Sequence, residues 1–246
     1  MKTDKYQRRF YRDWIKAKDL YSTHITVKET DLQAFTDQPL DESLIKEKVL
    51  LYRRQIEDYI SKDRRFLTTL KPIEVELNAA PIVKEMAQTA KKANVGPMAT
   101  VAGAIAQFLG KDLLRRGFKE IIIENGGDIF LKTGKVRKIG IYAGSLKLLK
   151  GISLKIKPED TPLGICTSSG TIGHSLSFGL ADAAVILSQN AALADAVATA
   201  TANRVRNKHD LEKALAFSRS VKGILGAAII IRNNFICWGR IELVRG

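Results

Sequence analysis

The chain has 246 residues, of which 45% are hydrophobic and 27% charged, and its 40 Lys and Arg against 26 Asp and Glu give a net charge of +14. This composition is typical of a folded globular protein and excludes a mainly disordered chain. No uncharged apolar run reaches the roughly 18–20 residues of a membrane span, and the charged N-terminus has no apolar segment typical of a secretory signal. Only two cysteines, Cys166 and Cys237, are present. They exclude a disulfide framework and a four-cysteine zinc site, so we expect a reduced, cytoplasmic setting.

The positive charge is unevenly distributed along the chain. Residues 1–75 hold 16 basic and 13 acidic residues, so most of the excess lies in residues 76–246. Ile129 to Pro158 contains eight basic residues and no acidic one. Such a field attracts the phosphates of a nucleotide or of nucleic acid, and a solvated surface is the alternative interpretation. Because no stacking platform of interleaved aromatic residues is evident in this stretch, nucleic-acid binding is the lowest-ranked function.

The N-terminal part of the chain changes its apolar period at about residue 40. Tyr21 to Val27 is rich in β-branched and aromatic residues, and Leu32 to Phe35 resumes an apolar alternation, so two strands are predicted. From Asp41 to Ser61 the apolar residues recur at spacings of three and four, which predicts an amphipathic helix. A short strand is predicted at Ile73 to Leu77, and a second helix from Pro81 to Ala93.

The rest of the chain mixes helices and short strands. Helices are predicted at Met98 to Arg116, which is rich in small residues, at Ala191 to Ala202 and at Asp210 to Phe217. The absence of a strict βαβ alternation predicts an α+β fold with mixed or antiparallel sheets packed with helices. The predicted strands are Glu120–Glu124, Ile129–Leu131, Ile139–Ala143, Ile152–Ile156, Gly164–Thr167, Ala183–Leu187, Ala227–Ile231 and Phe235–Trp238, the last two joined by a turn around Asn233-Asn234.

The domain organisation follows from the absence of a linker. No Pro-, Gly- or Ser-rich boundary separates one part of the chain from another. We therefore expect a single domain over residues 1–246, in which residues 1–70 could form an N-terminal lobe of strands and one amphipathic helix.

The Ala-rich helix carries two oxygen-bearing side chains four residues apart. Asp195 and Thr199 share one helix face, with alanines around them. A carboxylate on an apolar face is costly unless a positive group meets it. The two side chains could hold a hard cation such as Mg²⁺, with phosphate oxygens completing its coordination. In the alternative, Asp195 pairs with an Arg or Lys, and Thr199 bonds back to its own helix.

Two loops provide further candidates. Thr167–Gly170 follows a predicted strand and is dense in hydroxyls and glycine, so its backbone N–H groups could bind an anion. His174 lies beyond it and could act as an acid, a base or a phosphate contact, although a polar turn with a surface histidine is the alternative. Asn125–Asp128 contains two glycines, which permit either a plain β-turn or close approach of a ligand. The common phosphate-binding loops are absent, and the three histidines lack a metal-ligand spacing.

The order of these motifs resembles the ApbE family of flavin transferases. Gly96–Gly103 lies where that family has a D-L-G-G-I-A-K-G-like helix start, and Gly126–Asp128 matches its N-x-G-G-[DE] turn. Thr167–Gly170 resembles its T-S-G element, and His174 lies near the His of its H-I-I-D-P segment. The most specific match is Ala194–Ala200, which is similar to A-D-A-x-A-T-A. The chain as a whole resembles a short, uncharacterised branch of ApbE-like proteins.

The resemblance implies an ApbE-like fold and an activity. That activity is Mg²⁺-dependent transfer of FMN from FAD to a Thr or Ser hydroxyl of an acceptor protein, or hydrolysis or binding of a related dinucleotide. By the same resemblance, Asp195 and Thr199 bind Mg²⁺ and His174 is catalytic. The implied cofactor-binding residues are Met98, Gly126, Gly127, Asp128, Thr167, Ser168, Ser169 and Gly170.

The chain departs from the family pattern at three points. Ala102 stands where the family usually has Lys, His174–Gly179 lacks the family's Asp-Pro, and no lipoprotein signal is present. The missing Lys motivates an alternative function, a protein that binds a flavin or nucleotide without turnover. We also expect a homodimer, since small-residue-rich folds often bury further surface by pairing, and no membrane association.

Overall fold

The computed structural model describes residues 17–140, 152–170 and 179–245. In these residues the chain forms eleven strands in two sheets. The strands are β1 (Tyr21–Val27), β2 (Thr30–Thr36), β3 (Ile121–Asn125), β4 (Asp128–Lys132), β5 (Arg137–Gly140), β6 (Ile152–Ile156), β7 (Leu163–Ser168), β8 (Ala183–Ser188), β9 (Ile224–Ile231), β10 (Asn234–Gly239) and β11 (Leu243–Arg245).

Helices connect these strands. The α-helices are α1 (Glu42–Lys62), α2 (Arg65–Thr68), α3 (Pro81–Ala93), α4 (Val101–Arg115), α5 (Ala191–Ala202) and α6 (Leu211–Ser220). A 3-10 turn at Pro97–Thr100 leads into α4, and others lie at Pro158–Asp160 and Lys208–Asp210. Among the described helices, none is long and apolar enough to cross a bilayer.

The large sheet has eight strands in the order β1-β2-β3-β4-β7-β8-β9-β10, and all neighbours are antiparallel. The hairpin of β1 and β2 joins this sheet through β3, with Ala34 opposite Ile123. A second, three-stranded antiparallel sheet has the order β11-β6-β5. The predicted α+β class, with antiparallel sheets packed against helices, is confirmed.

Both faces of the large sheet are covered. On one face Ile123 and Phe130 belong to the main core, in which β3 and β4 contact α4 and β4 also contacts α5. On the other face Ile122 and Leu131 pack against Leu154 of the small sheet and its apolar neighbours. Because successive side chains of a strand point to opposite faces, β3 and β4 supply both cores and are buried almost throughout.

α5 occupies the centre of the helical layer, where α3, α4, α6, β7 and β8 contact it. The alanines of α5 allow this close packing, which also requires a glycine on α4 and another on β7. A Cβ atom on Gly103 of α4 would lie 2.5 Å from the carbonyl oxygen of Ala191, and one on Gly164 of β7 would lie 2.4 Å from the Cα atom of Ala191. The start of α5 is therefore held between the backbones of α4 and β7.

The basic stretch is largely ion-paired in its described part. Arg137, on β5, is buried and binds the carboxylates of Asp19 and Glu120. Glu242 binds Lys155 and Lys157 on and beside β6. Acidic residues distant in sequence thus neutralise charges that are unopposed within the stretch itself.

The predicted strand at Ile73–Leu77 is wrong. Within the described residues this segment belongs to no strand, and a turn begins at Leu77. Ile73 and Val75 pack against the main core, while Leu77 is 96% exposed. The apolar alternation therefore shows that one side of the segment is buried, and it does not show that the segment has a hydrogen-bonded partner strand. The β9–β10 turn is also shifted by one residue, to Arg232-Asn233.

The packing around α5 gives a first testable expectation. Because a methyl group at Gly164 would collide with the Ala191 backbone, Gly164→Ala should destabilise the fold by about 1–3 kcal/mol. Urea unfolding followed by circular dichroism measures this loss. The matched control is Gly134→Ala, whose added Cβ would lie 3.1 Å from a carboxylate oxygen at the end of the Glu120 side chain and should cost much less. Equal losses in the two variants would contradict the tight contact.

Candidate functional site

The carboxylate of Asp195 caps α4 from a neighbouring helix. Its Oδ2 accepts the N–H of Gly103 at 2.9 Å, and the N–H of Ala102 also donates to it. The first N–H groups of an α-helix have no partner within the helix, and Thr100, at the start of α4, provides no side-chain cap. Asp195 therefore supplies from α5 the acceptor that α4 lacks.

The alternative interpretation, in which Asp195 pairs with an Arg or Lys, is not what the described residues show. In residues 17–140, 152–170 and 179–245, neither basic residue type forms an ion pair with it. Backbone N–H groups, which carry partial positive charge at a helix N-terminus, take that place. They stabilise the carboxylate without neutralising it.

The β3–β4 turn is fastened to the same helix end. Asn125 Nδ2 donates to the carbonyl oxygen of Ala102 at 3.1 Å. Gly126 and Gly127 have φ of +67° and +101°, as a tight hairpin turn between paired residues Asn125 and Asp128 requires. The N–H of Gly127 donates to Glu124 Oε1 at 2.8 Å. The two glycines therefore make the turn itself, and the turn positions Asp128 beside α5.

Asp128 is a second buried acid in this site. It begins β4, opposite Cys166 of β7, and it accepts hydrogen bonds from the Cys166 thiol and from the N–H of Thr167. The Cys166 thiol also lies 3.2 Å from the carbonyl oxygen of Ala191. The other carboxylate oxygen of Asp128, Oδ1, is buried and has no hydrogen-bond partner in the described structure. A buried oxygen of this kind is destabilising unless a positive group meets it.

Burial raises the pKa of both carboxyl groups. The pKa of Asp195 rises from 3.8 to about 7, although the N–H groups of Gly103 and Ala102 act against the shift. The pKa of Asp128 rises well above its usual value, first because of burial and then because of the negative charge of Asp195. The same two carboxylates and burial raise the pKa of the Cys166 thiol. Both carboxyl groups therefore keep a proton to a higher pH than an exposed carboxyl group does, and no basic side chain of the described residues pairs with them.

These groups fit a hard divalent cation. Carboxylate and hydroxyl oxygens are ligands that Mg²⁺ accepts, and Asp195 and Thr199 lie one helical turn apart on α5. The unpartnered Oδ1 of Asp128 adds an oxygen in need of a positive partner. Among the described residues no cluster of three or more His, Cys, Asp or Glu side chains is arranged to hold a metal. The remaining ligands would have to come from water or from a bound phosphate.

The structure places most of the other predicted site residues, and their contacts differ. Thr167 and Ser168 end β7, and the N–H of Thr167 reaches Asp128. Gly170 donates its N–H to the carbonyl oxygen of Ala181 at 2.8 Å, and this bond holds the backbone that follows Ser169 against the chain entering β8. Met98 is half-buried in the 3-10 turn before α4 and packs against the main core. His174 lies outside the described residues.

The structure adds residues that the sequence did not single out. Cys166 and the N–H groups of Ala102 and Gly103 also belong to the site. Gly103 carries the one signal that sequence could have offered, because a glycine early in a helix is unfavourable unless another backbone approaches it.

Comparison with known proteins gives a family and a fold. A family profile described as AbpE bacteria matches residues 12–235. A UPF0280 protein of Methanosarcina acetivorans is 38% identical over 222 residues, which cover 90% of this chain and 87% of the relative. A UPF0280 protein of Methanocaldococcus jannaschii is 40% identical over 231 residues, 92% of this chain and 93% of the relative.

Among solved structures, the flavin transferase ApbE of Vibrio cholerae superposes with a TM-score of 0.60 at 13% identity, covering 89% of this chain and 97% of that chain. The flavinyl transferase ApbE of Pseudomonas stutzeri gives a TM-score of 0.58 at 10% identity, with coverage of 89% and 94%. These similarities show that the chain has the fold of those proteins.

The raised pKa of Asp195 makes stability depend on pH. Since the folded protein keeps a proton up to about pH 7 that the unfolded chain releases near pH 4, the contribution of this group is complete below pH 4 and is lost as the pH rises through 7. We expect the free energy of unfolding of the wild type to fall relative to Asp195→Asn across this window, by up to about 1.4 kcal/mol per pH unit. Urea unfolding at several pH values measures the difference, and parallel profiles would contradict it.

A cation between the carboxylates should act in the opposite direction. At pH 7.5, Mg²⁺ should raise the unfolding midpoint of the wild type, because a ligand that binds the folded state stabilises it. Asp195→Asn should respond much less. A matched control is Asp160→Asn, which removes a surface carboxylate paired with Arg240 and should retain the Mg²⁺ effect.

Proposed function

Because the chain belongs to the family described as AbpE bacteria, we propose that it is a Mg²⁺-dependent flavin transferase, which takes FMN from FAD and joins it to a hydroxyl group of an acceptor protein. One observation carries the proposal: two buried carboxylates, Asp128 and Asp195, lie together without a basic partner among the described residues, and one oxygen has no hydrogen bond. A divalent cation would stabilise the ionised form of such a pair.

The residues of this chain would divide the work of binding. Asp195 and Thr199 would hold Mg²⁺, with Asp128 beside them. When bound, Mg²⁺ supplies neutralisation of the charge that develops on the pyrophosphate oxygens. The hydroxyls and N–H groups of Thr167–Gly170 would face the phosphates, and Met98 would contact the flavin side of the dinucleotide.

The proposed reaction is a phosphoryl-type transfer. The oxygen of an acceptor Ser or Thr hydroxyl attacks the phosphorus of the FMN half of FAD. The bond between that phosphorus and the bridging oxygen breaks, and AMP leaves with the electron pair. The hydroxyl proton passes to a base, for which His174 is the residue that the sequence predicts. Positioning of the two reacting oxygens and charge neutralisation provide the acceleration in transfers of this type.

The departure at Ala102 favours a second candidate, a protein that binds the dinucleotide without turnover. The backbone of Ala102 is already engaged, since its N–H donates to Asp195 and its carbonyl oxygen accepts from Asn125. Its side chain is a methyl group, so the cationic group that the family usually has here is missing. Turnover would then depend on cations supplied by Mg²⁺ and by other residues.

Calorimetric titration tests the proposed site. We expect FAD to bind the wild type in the presence of Mg²⁺ and to bind at least tenfold more weakly without it, since Mg²⁺ would neutralise charge on the pyrophosphate and on the carboxylates of the site. Asp195→Asn keeps a side-chain oxygen that can accept the N–H of Gly103 and removes the negative charge. It should therefore fold and lose the Mg²⁺ dependence.

The control for this experiment is Asp160→Asn, which should behave as the wild type. Failure of the wild type to bind FAD with Mg²⁺ would reject the proposal. Binding with release of AMP only when an acceptor is added supports transfer, while binding with no AMP under any condition supports the second candidate. A homodimer remains a prediction, and light scattering of the purified protein measures it.

A further inference from the structure

A basic groove opens beyond the C-terminal end of α5. It lies between the residues that follow α5, the β9–β10 turn and the chain entering β8, and its volume is about 390 Å³. Its lining holds more basic than acidic side chains: Arg206, Lys208, His209 and Arg232 stand against one acid, Asp182. The other lining residues are two apolar ones, Leu180 and Ile231, and two asparagines.

Two cations of the groove form no close ion pair among the described residues. Arg204, just before them, donates to the carbonyl oxygen of Ala200 at 2.6 Å and stacks on Phe217, so it serves the C-terminal end of α5. Arg206 and Lys208 are exposed, and across the described ranges neither side chain forms an ion pair with a carboxylate. Exposed, unpaired cations concentrated in one concave surface attract an acidic ligand.

Arg232 adds a backbone argument. It has φ of +52°, in the left-handed region that favours glycine, at a hairpin turn where Gly or Asn is the usual residue. Its N–H donates to the side chain of Asp182, which holds the turn against the chain entering β8. An arginine kept in an unfavourable conformation on the wall of a basic groove points to use of its side chain.

The groove adjoins the proposed site. The backbone of Gly179 packs on the carbonyl group of Ala202, where an added Cβ would lie 1.8 Å from the oxygen. The N–H of Leu180, at the edge of the groove, donates to the carbonyl oxygen of Val205 at 2.7 Å. Ala202 is only three residues, about 4.5 Å along the helix axis, beyond the proposed Mg²⁺ ligand Thr199. A polypeptide in the groove would thus have its neighbouring residues close to the site.

We propose that this groove binds an acidic segment of the acceptor protein, next to the hydroxyl that receives FMN. The inference rests on the proposed function. The cations match acidic side chains, and the exposed Leu180 with Ile231 gives an apolar floor for the aliphatic parts of a peptide. Phe, Tyr and Trp are absent from the described lining, so the groove lacks a platform on which bases would stack, and a peptide is favoured over a nucleic acid.

The test uses the full chain and a defined probe. A fluorescein-labelled peptide of alternating glutamate and threonine, and a lysine–threonine peptide of equal length, are titrated by fluorescence anisotropy at low ionic strength. We expect the acidic peptide to bind and the basic one not to bind. Arg206→Glu/Lys208→Glu should weaken the acidic peptide about tenfold, since two favourable charge contacts become repulsive.

The control has the same change of net charge outside the groove. Lys213→Glu/Lys222→Glu reverses two exposed lysines and should weaken the peptide much less. Equal weakening by the two double variants would overturn the groove as a specific site. A second outcome would overturn the proposal in favour of nucleic acid. In that outcome the protein binds oligothymidylate, loses this binding in the Arg206/Lys208 variant, and shows no preference for the acidic peptide.

A second variant separates recognition from folding. Arg232→Gly removes a groove cation and relieves the unfavourable φ, so its urea midpoint should stay near that of the wild type while peptide affinity falls several-fold. Unchanged affinity would overturn the role of this wall of the groove.

Calorimetry with FAD and Mg²⁺ on the same proteins distinguishes the two proposals. Normal FAD binding in the groove variants, with selective loss of the acidic peptide, supports both. If the wild type binds the acidic peptide selectively but does not bind FAD, the flavin transferase proposal is rejected. The groove would then remain as a surface that binds acidic peptides. FAD binding without peptide discrimination would reject the groove alone.

Discussion

The hydrogen bond from the N–H of Gly103 to the carboxylate of Asp195 joins the two helices on which the site depends. It requires α4 and α5 to approach until a single Cβ at Gly103 would collide with the Ala191 carbonyl group. The same contact buries Asp195 beside Asp128 and so raises the pKa of both carboxyl groups. The helix cap, the close packing and the burial of two neighbouring carboxyl groups are therefore three results of one arrangement, and ionising these groups is costly.

Much of the fold was predictable because its signals are local. α3 and α5 have the predicted bounds, since Pro81 begins one and Asn190 caps the other through the N–H of Leu193. The strand prediction at Ile73–Leu77 was wrong because an apolar alternation shows which side of a segment is buried. It cannot show whether a partner strand lies beside the segment. The order of strands in the large sheet depends on pairings between distant residues and was not predictable from local patterns.

In the site, too, short-range features could be predicted from the sequence and long-range contacts could not. The spacing of Asp195 and Thr199 and the two glycines of the β3–β4 turn could be recognised from sequence, because a helix face and a tight turn are short-range features. The partner of Asp195 could not, since Gly103 lies 92 residues away and donates through its backbone, which no side-chain pattern reveals. Cys166 was visible only as a buried thiol in a strand, and its proximity to Asp128 comes from the β4–β7 register.

The backbones of Gly170 and Gly179 touch so closely that a Cβ on Gly170 would lie 2.0 Å from the carbonyl oxygen of Gly179. Two positions nine residues apart in sequence are therefore held side by side, and the N–H of Gly170 fastens this contact to the carbonyl oxygen of Ala181. The entropy lost on closing a loop rises only slowly with its length. Insertions between Gly170 and Gly179 should therefore cost little stability, because the contact that joins the two ends does not depend on the number of residues between them.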